Sequence, residues 1–295
     1  MEAGGKGRME LLTGSTTTAI YLNFTDPNTE VAGERSHPST RHPIFGDPRV
    51  RRAITHLVDR HSIVRFLYGR QGAATSNFIN HPERYRSGAV APEFDIGKAN
   101  ALLDAAGWRR GGDGIRERNG RKMTLLFQAA VGSFIQKFQA IVKQAFQQAG
   151  IAVDLKGVTS SVFFSADEGN PDTYGKFYAD MQTYAWTNAS PDPEGLMLCF
   201  VSWEACSKAN KWLGQNLVRW QNSEFDSLYR AAESELDPVK RAAIFIRMND
   251  LVVADGYVLP VIDRKSVRVM KRNLFAPLSG WQNDMATLPH WYRET

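Results

Sequence analysis

The chain has 295 residues, 43% of them apolar and 23% charged, and its 36 Lys and Arg outnumber 31 Asp and Glu to give a formal net charge of +5. These are values of a globular chain, and they exclude disordered, collagenous and disulfide-scaffold classes. The basic residues are dispersed apart from Arg49, Arg51 and Arg52 and the pair Arg109 and Arg110, so no basic face with aromatic platforms is offered to nucleic acid. No run of about 18 apolar residues is present to cross a bilayer, and the opening MEAGGKGRMELLTG lacks the apolar centre of a signal peptide.

In chain order, residues 16–24 (TTTAIYLNF) are β-branched and aromatic and stop at Asp26-Pro27-Asn28, which predicts a strand ending in a turn. Asp47 and Pro48 then open a helix, as N-cap and first helical residue, and Val50, Ala53, Ile54, Leu57 and Val58 share one face of it. Residues 66–79 carry two glycines and several small side chains, which suggests irregular backbone passing close to another segment. A second helix is expected from an N-cap at Asp95 to a C-cap at Gly107, followed by a hairpin and a strand at 123–127.

Ser133 is expected to cap a longer helix whose apolar stripe runs from Phe134 to Phe146 and which closes at Gly150, with a strand at 151–155 after it. Strand, helix and strand in succession argue for an α/β sheet. A further strand is predicted at 179–186, a Pro- and Asp-rich turn after it, and a helical hairpin whose first helix is capped by a Ser223/Asp226 box and whose second begins at Asp237-Pro238. Two closing strands are expected at 257–262 and 266–270.

Chemistry-bearing patterns are sparse. The six histidines lie mostly in loops, and neither HExxH, GxSxG, GxGxxG nor a phosphate-binding GxxxxGK[ST] loop occurs. Cys199 and Cys206, in LCFVSWEAC, either close a small disulfide loop in an oxidising compartment or remain free and buried; no CxxC or clustered His accompanies them to form a metal site. Aromatic and amide side chains concentrate at Tyr184, Trp186, Thr187 and Asn188 and again at Trp203, Trp212, Asn216 and Trp220. Such a set suits a concave site for a small organic ligand, and equally suits a filled core.

Several ordered segments resemble the dipeptide and oligopeptide class of ABC-transporter solute-binding proteins, family 5. DPRVRRAITHLVDR, then LYGRQGAAT, FDIGKANALLDAAGW, DGIRERNGRKMTL, IVKQAFQQAGIAVDL and GQNLVRWQNSEFDSLYRAAESELDPVKRAAIF carry the resemblance, over about residues 15–269. The resemblance implies an α/β fold of the periplasmic-binding-protein type II kind, one lobe with a mixed sheet flanked by helices. It further implies a division into a flexible segment at 1–14, the second, C-terminal lobe at 15–262, and a segment at 263–295 returning toward a first lobe that a truncated chain would lack.

The function implied is binding of a peptide or peptide-like solute between lobes and its delivery to ABC permease subunits, in the periplasm, without catalysis, cofactor or nucleic acid. Ligand contacts are expected from Tyr184, Trp186, Thr187, Asn188, Asp192, Trp212 and Asn216. In peptide-binding relatives an aspartate just after this strand holds the ligand's amino group. WTNASPDP places Ala189 there, so a free amine is either not the main recognition element or is met by Asp192. A ligand-sensing domain of a transcriptional regulator with the same fold is the alternative; a hydrolase would need a nucleophile and base that are not supplied.

Overall fold

The computed structural model describes residues 7–281 and 284–294. The β-branched run near the start is extended as expected, but β1 spans Arg8–Leu22 and begins earlier than composition suggests. Residues 8–14 of the expected flexible segment lie in this strand, because Arg8 to Leu12 pair antiparallel with Met270 to Ser266; residues 1–6 lie outside the described residues. A partner more than 250 positions away supplies the hydrogen bonds, and no local pattern announces it.

The long strand β6 (Val258–Met270) is likewise continuous where two strands were expected. Its charged middle reads as a break, yet Asp263 and Arg264 pair on one side with Thr17 and Thr16 and on the other with Ala73 and Gly72 of the short β2 (Gly72–Ala74). The β1–β6 register shifts twice, between Leu12 and Thr16 and between Thr18 and Ala19. The second shift faces Pro260, which has no N–H to give a regular ladder. At the first, a Cβ on Gly14 would stand 2.1 Å from the Arg264 carbonyl oxygen, so only glycine lets the strands approach.

Five helices begin at or near the expected positions. α1 (Pro48–His56) is capped by Asp47, whose carboxylate accepts from the Arg49 N–H, and α2 (Ile96–Ala105) by Asp95, which accepts from Lys98 N–H. Ala106 is the C-cap of α2, and Gly107 follows it with positive φ. β3 (Thr124–Ala130), α3 (Ser133–Gln148) and β4 (Ala152–Val158) form the expected parallel βαβ unit. Here Gly132, not Ser133, is the N-cap, and no side chain closes the helix start.

β5 (Met181–Thr187) precedes the helical hairpin of α4 (Ser223–Ser234) and α5 (Pro238–Asp255). The cap of α4 is Asn222, accepting from Phe225 N–H at 3.0 Å, rather than Ser223, and the Asp226 N–H donates to the Asn222 carbonyl instead of to a Ser223 side chain. Asp237 caps α5 as expected, and Gly256 ends it in the left-handed region at φ 75°.

The six-stranded sheet has the order β2-β6-β1-β5-β3-β4. β5, β3 and β4 run parallel, while β1 is antiparallel to both β5 and β6. This is the mixed α/β sheet flanked by helices expected from the sequence. One continuous apolar core joins it to the helices through side chains such as Ile54, Leu103, Phe127, Phe146, Phe245 and Leu259.

Candidate ligand cleft

In a parallel sheet the strands' C-terminal ends, with the loops that follow, form the crevice where ligands sit. β3 ends at Ala130 and β5 at Thr187, and a recess of about 500 Å³ opens beside them. Its walls include Leu67, Tyr68, Val131, Phe134, Ile135 and Arg264. Tyr68 and Leu67 arrive on a short π-helical turn at Val64–Tyr68, part of the irregular backbone foreseen near this point. Tyr68 meets Phe134 edge to face at 4.3 Å, and the Arg264 guanidinium lies 5.7 Å from the Tyr68 ring centroid.

Two smaller recesses adjoin it. One of about 450 Å³ shares Ala185 and Arg264 with the first and continues along Thr187, Lys265, Arg268 and Trp281. The other, about 210 Å³, shares Phe164 with the first and is walled by Tyr174, Trp186 and Trp212 with Lys176 and Lys211. The Lys176 ammonium sits 4.4 Å over the Trp212 ring, and Lys211 and Trp212 both hold positive φ, 56° and 57°.

The residues expected to contact ligand take different places. Trp186 and Trp212 both line the 210 Å³ recess, and Thr187 lines the one of 450 Å³, its hydroxyl 2.9 Å from that of Thr16. Tyr184 also lines the 500 Å³ recess but is mostly buried, 5% exposed, and burial pushes its phenol well above the ordinary tyrosine value. Asn188 is also buried and ties its loop down: its N–H donates to the Ser15 carbonyl at 2.9 Å and its side-chain amide to the Asp192 carbonyl at 3.1 Å.

Asp192 pairs with Arg241, and its Oδ1 accepts from the Glu194 N–H at 3.0 Å, while Glu194 itself pairs with Arg241 at 2.8 Å. Ala189 is exposed and brings no charge. Asn216 is wholly buried, its amide donating to the Val201 carbonyl at 3.0 Å and the Trp220 carbonyl at 2.8 Å, which makes it a loop brace. Sequence reasoning missed Tyr68, Phe134, Lys176 and Arg264, and reading two strands on either side of Arg264 hid its place.

Cys199 and Cys206 are free and buried, so the disulfide alternative is not adopted. Burial pushes the Cys199 thiol up to about 12 and that of Cys206 to about 11. The Cys206 thiol is turned to the Gly214 carbonyl at 3.0 Å.

Two histidines are paired with aspartates. His42 holds Asp180 at 2.8 Å, but its other ring nitrogen accepts from the Ile44 and Phe45 N–H groups, so both nitrogens are committed and the imidazole is sealed inside. His81 is likewise paired with Asp263 at 2.8 Å. Among the described residues no group of three or more His, Cys, Asp or Glu side chains could hold a metal, and no helix is long and apolar enough to cross a membrane.

A sheet with its crevice at the parallel ends, combined with the ordered motifs, agrees with one family. The model for bacterial extracellular solute-binding proteins, family 5, middle region, matches residues 5–205. The chain belongs to this family. It is 26% identical over 228 residues to the oligopeptide-binding protein OppA of Mycobacterium tuberculosis, covering 74% of this chain and 35% of that protein. Protein XP55 of Streptomyces lividans is 28% identical over 218 residues, covering 72% of this chain and 37% of that protein.

Among solved structures, the oligopeptide-binding protein of Thermus thermophilus, complexed with a pentapeptide, superposes with a TM-score of 0.77 at 25% identity, over 94% of this chain and 47% of that one. The oligopeptide-binding protein AppA of Bacillus subtilis, at 20% identity and a TM-score of 0.76 over 98% of this chain and 53% of that one, shares the fold. The chain therefore spans about a third of these curated relatives and about half of the solved chains. The family is one of extracellular solute-binding proteins.

Proposed function

We propose that this family 5 chain forms one wall of an interlobe cleft that holds a peptide or peptide-like solute and presents it to ABC permease subunits in the periplasm or at the outer face of the membrane, with no bond made or broken. The observation that carries this reading is the run of adjoining recesses at the ends of β3 and β5, the main one walled by apolar and aromatic side chains and the two beside it lined largely by polar and charged ones. That lining grips organic bodies of varied shape through area and ring contact, while a few polar groups orient them.

Two further features support it. β1 and β6 continue past the body of the sheet as a paired ribbon, residues 8–12 against 266–270, which suits a connection to a second lobe. The relatives' greater length leaves room for that lobe, and closure of two lobes around a solute is a hinge motion driven by the solute's differential affinity for the closed state. The expected contacts at Trp186, Thr187 and Trp212 fit this wall; Asp192, occupied by Arg241, is a poor counter-ion for a ligand ammonium.

Calorimetric titration with defined tri- to pentapeptides tests the reading. Saturable heat is expected, together with a change in tryptophan emission that is weakened in Trp186→Phe. Saturable binding of sugars or opines with no response to any peptide would overturn the ligand class.

A further inference from the structure

In two of the three recesses the lining charge among the described residues has one sign. In the recess of about 500 Å³ the only ionic side chain among the described residues is Arg264, and in the adjoining recess of about 450 Å³ it is joined by Lys265 and Arg268. Neither recess is lined by an Asp or a Glu. Arg264 makes no ion pair among the described residues, and its chain neighbour Asp263 is committed to His81.

Of the three recesses only the one of 210 Å³ is lined by acids, Asp167 and Glu168, and it is lined by two lysines as well. Glu168 faces Lys211 at 3.5 Å, and the Asp167 carboxylate accepts from the Gly169 N–H at 2.8 Å, with Lys176 beside them. The start of α3 adds to the same field. Gly132 caps it without a side chain, and Phe134 and Ile135 of its first turn line the main recess, so the positive end of a 16-residue helix borders the cleft alongside the guanidinium.

Open to water, an unpaired arginine costs little. When the cleft closes and water is expelled, that charge has to be met by an opposite one. We propose that this wall selects solutes bearing a carboxylate, paired to Arg264, and gives a ligand ammonium no counter-charge in either of the two recesses that Arg264 lines. The inference rests on the reading of this face as a solute cleft. A carboxylate suits the guanidinium fork in a two-point contact that an amide cannot reproduce.

Matched acid and C-terminal amide pairs test it by calorimetry: N-acetylated and free-amine tetrapeptides, together with acyl amino acids and sugar acids. The acid of each bound pair is expected to bind about tenfold or more tighter than its amide, and N-acetylation to change affinity about twofold or less. Arg264→Gln should bring the acid down to the level of the amide and leave the amide unchanged, with Arg264→Lys between; a circular dichroism spectrum like that of the parent shows that the fold is kept.

Equal affinity for acid and amide, or a preference for acid that survives Arg264→Gln, would overturn the proposal while peptide binding itself stood. Binding of sugar acids but of no peptide would keep the proposal and overturn the peptide reading. Binding of no member of the panel would overturn both.

Discussion

The ring of Tyr184 lies flat on that of Tyr21, with 4.2 Å between centroids and 10° between planes. The pair joins β1 to β5 directly beneath the cleft, and Trp186, two residues on along the same strand face, emerges into the 210 Å³ recess. One strand thus carries a core aromatic and a cleft aromatic in succession.

Their removal should have opposite consequences. Tyr184→Ala deletes a ring packed on Tyr21 and edge-on to Tyr174 and is expected to cost about 3–5 kcal/mol in urea unfolding. Trp186→Ala should stay within about 1 kcal/mol of the parent and weaken peptide binding instead.

Arg241 closes the turn after β5 by pairing with both Asp192 and Glu194. Asp192→Asn is expected to lower the melting temperature by a few degrees, about 1 kcal/mol for a side chain this exposed, and to leave the ratio of affinities for free-amine and N-acetylated peptides unchanged. A selective loss of free-amine binding would show that Asp192 serves the ligand instead of the turn.

The two thiols give a chemical readout of burial. With values pushed up to about 12 and about 11, both stay protonated at pH 8, so neither should react with iodoacetamide in the folded protein. After unfolding in guanidinium without reductant, mass spectrometry should count two additions. A count of zero would mean that Cys199 and Cys206 are joined.

Acid sensitivity should trace in part to the start of α1. The Arg49 guanidinium bonded to Asp47 holds that carboxyl below its ordinary 3.8. Because the folded value is the lower one, this stability is fully present above the unfolded value and disappears as pH falls through the folded one. Unfolding free energy should therefore decline below about pH 4, and less steeply in Asp47→Asn, which retains the helix cap and removes only the charge. Identical slopes in the two proteins would place the acid sensitivity elsewhere, at carboxylates such as Asp104 beside Arg116.

The sequence by itself determined the family, the βαβ unit and the caps at Asp47, Asp95 and Asp237, because each depends on spacing within a few residues of one segment. Its cluster of aromatic and amide residues mixed Trp186 and Trp212, which line a recess, with Asn216 and Trp220, which are buried, because residue type alone does not separate a concave site from a filled core. Only the tertiary structure decided that residues 8–14 are strand, that β6 is unbroken through Asp263 and Arg264, and that Asn216 braces a loop while Asp192 answers Arg241. The reason is common to all of these. Pairing across a sheet and the partner of a buried charge or amide are set by residues far along the chain, and a side chain's type states what it can bond without stating what it will meet.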